Sequence, residues 1–226
     1  MEIINMKQFL ILITTNIKLS FRNTNESFIS VLFFLFSLLI LPLIFQGDKE
    51  VIKKFLIGII WFLTLLTVIF SIEKLFESDF EDGTLDQIFI SGIPPELIFF
   101  SKAISIWIIT CLPITIIAPT FIFLFDLNLT KTFALFISLL FGTPILCLIG
   151  SITSVLTLGL KKGGAIISLL TLPLYVPILI FGINSSNSEF SLNFINYELK
   201  MLLGYFFIVL AIAPWIGGMA LKINYK

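Results

Sequence analysis

The chain contains no histidine. That removes the commonest metal ligand and the usual proton shuttle at neutral pH. Its two cysteines, Cys111 and Cys147, lack metal-site spacing, so zinc chemistry and histidine-based catalysis are both excluded. Charge is scarce as well: 12% of the 226 residues are charged, against roughly 25% in an ordinary globular domain. Fourteen basic and fourteen acidic residues cancel. No basic surface is left to release counterions from phosphates, so nucleic acid is not an expected partner. No G-x-x-x-x-G-K-S/T segment occurs. The chain therefore cannot cradle ATP phosphates as a P-loop does, and ATP-driven work would need another polypeptide.

What remains is hydrocarbon, 58% of residues being hydrophobic with a mean hydropathy of +1.11. Crossing about 30 Å of bilayer core takes roughly 18 or more apolar residues at 1.5 Å each. Six runs qualify: 28–45, 55–72, 103–125, 133–160, 165–183 and 201–221, and none contains Asp, Glu or Arg. The expected fold is thus an all-α membrane protein with six transmembrane helices, forming one transmembrane domain over 1–226. The fourth run is longer than a straight crossing needs and carries Gly142, Pro144 and Gly150, so it is expected to tilt, kink or break. Pro113, Pro119, Pro173, Pro177 and Pro214 read as kinks in membrane helices. Cys147, Gly150, Ser151 and Ser154, like Thr64, Thr67 and Ser71, recur at three- and four-residue spacing and read as close helix packing. The runs lack the carboxylate or lysine chains of proton-coupled carriers. Both cysteines fall inside runs and are expected to be buried packing residues.

The N-terminal stretch has a short apolar run without a small-residue cleavage site, so no cleavable signal is expected. Phe9, Leu10, Ile13, Ile17 and Phe21 lie near one helical face, leaving Lys7, Lys18 and Arg22 to meet headgroups. Segment 1–27 is accordingly expected to be a helix in the membrane interface. With six spans, both termini, the 73–102 segment and the turn at 161–164 share a side. That side carries nine of the fourteen Lys and Arg, Lys102 included, against five opposite. The positive-inside rule places it in the cytoplasm or the mitochondrial matrix. The opposite loops at 46–54, 126–132 and 184–198 are too short to fold alone. The sequons at Asn128 and Asn184 matter only in a secretory pathway.

The 73–102 segment, EKLFESDFEDGTLDQIFISGIPPELIFFSK, concentrates the chemistry. It holds Glu73, Glu77, Asp79, Glu81, Asp82, Asp86 and Glu96, seven of the fourteen carboxylates. Thr84 followed by Gln87 spells a capping box, after a permissive Gly83. A short helix from Thr84 would set Leu85, Ile88 and Phe89 on one face and stop near Ser91-Gly92. Pro94-Pro95 would then open a new helix through Glu96 toward Lys102. A solvated acidic loop accounts for the charge but not for Leu85, Ile88, Phe89 and Ile90. An apolar helical face entering a partner's groove accounts for both.

GTLDQI at 83–88, six spans and an N-terminal amphipathic helix resemble the permeases of ABC-2-type exporters. Longer segments resemble one family among them, the haem exporter protein B family (CcmB) of cytochrome c maturation. These are ILPLIF at 40–45, WFLTLLTVIFSIEKLFESDFEDGTLDQI at 61–88, GTPILCLIGSITSVLTLGLKKGG at 142–164 and LPLYVPILIFG at 172–182. The chain departs from that pattern with Asp86 in place of Glu and Ser27 in place of Pro. The resemblance implies a non-catalytic permease subunit, with an elbow helix and a cytoplasmic coupling helix between spans two and three. It also implies two copies working with an ATPase subunit (CcmA-like), with CcmC- and CcmD-like membrane subunits and, indirectly, with a CcmE-like haem chaperone. ATP would sit on the partner, and no cofactor would be bound directly. Haem would be handled through the complex, since the chain offers only Met, Cys or Tyr as axial ligands. In the coupling helix, Asp79, Glu81, Asp82 and Asp86 would set the register of docking. Leu85, Ile88 and Phe89 would supply contact area, with Gly83, Thr84 and Gln87 shaping the turn. A generic ABC-2 permease for a lipid, polysaccharide or drug, or a structural subunit of a membrane complex, are the alternative readings. The membrane would be a bacterial inner (plasma) membrane or the mitochondrial inner membrane.

Overall fold

The computed structural model describes residues 6–22, 25–73, 75–125, 128–160, 163–187 and 196–224. Every regular element among them is helical, as lipid demands of a chain whose backbone groups have no water to meet. In chain order these are α1 (Met6–Arg22), α2 (Asn25–Ile44), α3 (Lys49–Ile72), α4 (Glu77–Glu81), α5 (Thr84–Ile90), α6 (Pro95–Ile106), α7 (Leu112–Leu124), α8 (Leu129–Leu156), α9 (Gly163–Asn187) and α10 (Tyr197–Asn224). Five segments, built on α3, α6 with α7, α8, α9 and α10, are long and apolar enough to cross a membrane. Helix α2 stands where the first of the six expected spans would lie, but its apolar stretch, Ile29–Ile44, is shorter than these five.

The spans start and stop differently from the apolar runs. Helix α3 begins at Lys49 rather than Phe55, because Asp48 accepts hydrogen bonds from the backbone N–H groups of Glu50 (3.0 Å) and Val51 (3.3 Å). This cap nucleates the helix through Lys53 and Lys54. The third span begins at Pro95 rather than Ala103, so its first turns belong to what reads in sequence as a hydrophilic segment. Midway, α6 and α7 are joined by one π-helical turn, Trp107–Cys111, closed by the Leu112 N–H on the Trp107 carbonyl. Pro113 follows directly. It has no N–H to give, and its ring crowds the preceding carbonyls, which a widened turn accommodates. The fourth span runs unbroken through Pro144 but ends at Leu156 rather than Leu160, where Gly159 takes a positive φ of 78°.

Helix α8 is the centre of the bundle, buried along most of its length. Trp61 of α3 is fully buried and lies against both Gly142 of α8 and Gly182 of α9. A Cβ at either glycine would sit 2.4 Å from the indole. The Trp61 indole donates to Ser186 (3.1 Å), whose hydroxyl meets that of Ser138 at 2.5 Å. Spans two, four and five are thereby pinned at one point. Below it, the Tyr175 hydroxyl donates to the Leu146 carbonyl at 2.7 Å, in a gap left by Gly150. Thr64, Thr67 and Ser71 return their hydroxyls to carbonyls of their own helix, a way to bury hydroxyls without a partner helix. Cys111 and Cys147 are buried free thiols with their sulfurs 3.1 Å apart.

Helix α1 lies along α6. Phe9 stacks on Phe100 with ring centres 5.8 Å apart, and the Ser105 hydroxyl donates to the Ile13 carbonyl at 3.4 Å. The expected apolar face is divided by this contact: Phe9 and Ile13 meet α6 and Ile17 is half-buried, whereas Leu10 is exposed, as are Ile11 and Lys18. The side chains of Lys7, Phe21, Arg22 and Ser27, and all of Lys74, Lys161, Lys162 and Lys226, lie outside the described residues.

Candidate functional site

The candidate site is the helical hairpin α4–α5 between the second and third spans. It forms because Gly83 adopts φ 69°, a left-handed conformation with open space around it that other L-residues adopt at a cost. A matching Gly92, φ 77°, ends α5, and the Ser91 hydroxyl donates to the Ile88 carbonyl at 2.6 Å. Proline at the first helical position then opens α6. The capping box expected from Thr84 and Gln87 is not made. Gly83 occupies the cap position, and no side chain caps the helix, because a left-handed cap residue is not in the extended conformation that side-chain capping uses.

Each expected site residue has a definite place. Leu85 is buried, and Ile88 and Phe89 are half-buried against the core of the bundle. The apolar face of α5 is therefore turned onto its own protein, where it seats the hairpin. Glu81, Asp82, Asp86, Gln87 and Ile90 are exposed, Ile90 by 78%, and form the outward surface. Gly83 and Thr84 are half-buried at the turn.

Asp79 behaves differently from the other carboxylates. It pairs with Lys102 at 2.5 Å. Lys102 sits two turns into the third span and is buried. The same ammonium donates to the Leu75 carbonyl at 2.8 Å and lies 5.1 Å from the centre of the Phe76 ring. Phe76, fully buried, stacks on Phe99 with centres 6.1 Å apart. On the other side of α6, Glu96 pairs with Lys222 of α10 at 3.0 Å. Gly217 and Gly218 of α10 let Phe99 and Glu96 approach closely. Lys102 thus joins the hairpin to the base of the third span, a role beyond its contribution to charge asymmetry. Its sequence signal is one lysine in an otherwise apolar FFSKAIS stretch. Among the described residues, no cluster of three or more His, Cys, Asp or Glu is arranged to hold a metal ion.

Fold and site together define a polytopic helical membrane protein with an amphipathic N-terminal helix and an acid-rimmed helical hairpin between two spans. Residues 7–224 match the CcmB protein family. The chain is 34% identical over 215 residues to "Heme exporter protein B" of Rhodobacter capsulatus, covering 95% of this chain and 99% of that protein. It is 33% identical over 215 residues to the protein of that name from Paracoccus denitrificans, with the same coverage. To the Haemophilus influenzae protein it is 36% identical over 173 residues, covering 76% of this chain and 78% of the relative. The chain belongs to the CcmB family.

Proposed function

We propose that this chain is the permease subunit of an ABC-type complex in cytochrome c maturation, and that its α4–α5 hairpin receives motion from a separate ATPase subunit. The reading rests on one arrangement. A hairpin whose apolar side is seated on the buried core presents Glu81, Asp82, Asp86, Gln87 and Ile90 outward, in a chain with no phosphate-binding loop of its own. Exposed carboxylates on the same hairpin as an exposed apolar side chain suit a partner cleft with a basic rim, where complementary charge selects partner and register. Membership of a family whose relatives are named "Heme exporter protein B" supplies the pathway. Haem is then cargo or signal of the complex rather than a group held by this subunit. CcmC- and CcmD-like subunits and a CcmE-like chaperone are the further partners, and two copies form the membrane half. The hairpin and both termini face the cytoplasm, or the matrix if the membrane is mitochondrial.

The test is to reverse the outward charges. Asp82→Lys with Asp86→Lys changes only exposed side chains, and substitutions of that kind usually move stability by no more than about 0.5 kcal/mol. The altered chain is expected to reach the membrane in normal amount and to lose at least tenfold of the ATPase subunit that co-purifies in mild detergent. Undiminished co-purification contradicts the docking surface.

A further inference from the structure

Helices of five and seven residues, as α4 and α5 are, do not hold themselves together in isolation. The apolar seat beneath them, Leu85 and Phe76 among others, is non-directional and permits sliding. Among the described residues, a directional and buried attachment of α4 to a span is made by Lys102, which engages a carboxylate, a carbonyl and a ring face at once. A lysine at this depth is a costly way to gain stability, since an apolar side chain of similar size is often as good or better. What the ion pair supplies is a fixed geometry. The helix that carries it is also tied to α10 through Glu96–Lys222. Five residues beyond Lys102 begins the π turn, a natural pivot in a helix.

We propose that Lys102 is a positioning residue for force transmission: its ion pair to Asp79 makes the hairpin and the base of the third span one rigid lever, so displacement of α5 reaches α6 and α10. This rests on the docking reading above. Without the pair, movement of the hairpin is absorbed by the short link 91–94 between α5 and α6 and never reaches the π turn.

The experiment uses the full chain in its membrane complex, carrying Lys102→Met, Lys102→Arg, or the exchanged pair Asp79→Lys with Lys102→Asp. In Lys102→Met the orphaned Asp79 retains 26% exposure and can hydrate, so the chain is expected to fold. Two quantities are read: the ATPase subunit recovered with the tagged chain, and the c-type cytochrome matured per ATP hydrolysed. Lys102→Met is expected to keep recovery within twofold of wild type while the yield per ATP falls at least tenfold. Lys102→Arg and the exchange restore at least half. An unchanged yield per ATP in Lys102→Met overturns the proposal, because a merely structural lysine lowers cytochrome output and ATP hydrolysis in proportion, through loss of complex, and leaves their ratio intact. Should Lys102→Met not accumulate, the exchanged pair decides, and its failure to restore the ratio overturns the proposal. A wild-type chain that recovers no ATPase subunit instead overturns the docking reading, and this lever with it.

Discussion

At the scale of single residues, the interior is organised around one tryptophan. Trp61 is slotted between Gly142 and Gly182 and hydrogen-bonded to Ser186. Hydrophobic attraction does not distinguish a helix surface from lipid tails, so membrane helices associate through close packing and hydrogen bonds between small residues. Gly182→Ala, placing a methyl 2.4 Å from the indole, is expected to cost about 2 kcal/mol through overpacking. Thermal unfolding of the purified chain in detergent should register this as a lower midpoint, while Gly204→Ala, with open space around it, leaves the midpoint unchanged. The small-residue spacing at 147–154 read as close packing and Gly142 as a place for a kink, whereas Gly142 accommodates a tryptophan from another helix, 81 positions away (142 − 61), which no local pattern encodes. Lys102 was obscure for the same reason. Its partner Asp79 is 23 residues earlier (102 − 79), and only the folded insert brings the two within reach.

At the scale of elements, composition located the spans and misjudged their ends. Hydropathy stops counting at a charge, whereas a helix continues while its backbone is satisfied. Hence α3 extends back through Lys54, Lys53 and Lys49 to its Asp48 cap, and the third span extends back to Pro95. The opposite error occurs at 157–160, where apolar residues continue but Gly159 turns the chain. Inside the hairpin, the helix boundary at Thr84 was legible and its cap was not, because the left-handed turn at Gly83 displaces the hydroxyl from the role its position in the sequence suggests. That turn is the hairpin's weak point. Gly83→Ala imposes a side chain on a φ of 69°, a cost of about 1–2 kcal/mol. Hydrogen exchange of the amides in 77–90 is expected to quicken roughly tenfold while exchange in α8 stays the same. Equal exchange in both segments would show that the hairpin is held by its seat alone.

At the scale of the whole molecule, two ends are built for different work. The span interior, around Trp61 and Tyr175, is pinned by glycine clefts and buried hydrogen bonds. The end bearing α4 and α5 carries the ion pairs Asp79–Lys102 and Glu96–Lys222 and an outward acidic rim. A rigid interior with a directional handle suits a subunit that is moved by another protein, and suits poorly a carrier that titrates groups along its own spans. The most direct measurement is photo-crosslinking in intact membranes from a light-activated residue placed at Ile90, the exposed apolar side chain that ends α5. The expected result is a crosslinked product whose partner, identified by mass spectrometry, is the nucleotide-binding ATPase subunit. Crosslinks only to lipid, or to a protein on the periplasmic or intermembrane-space side, would contradict it.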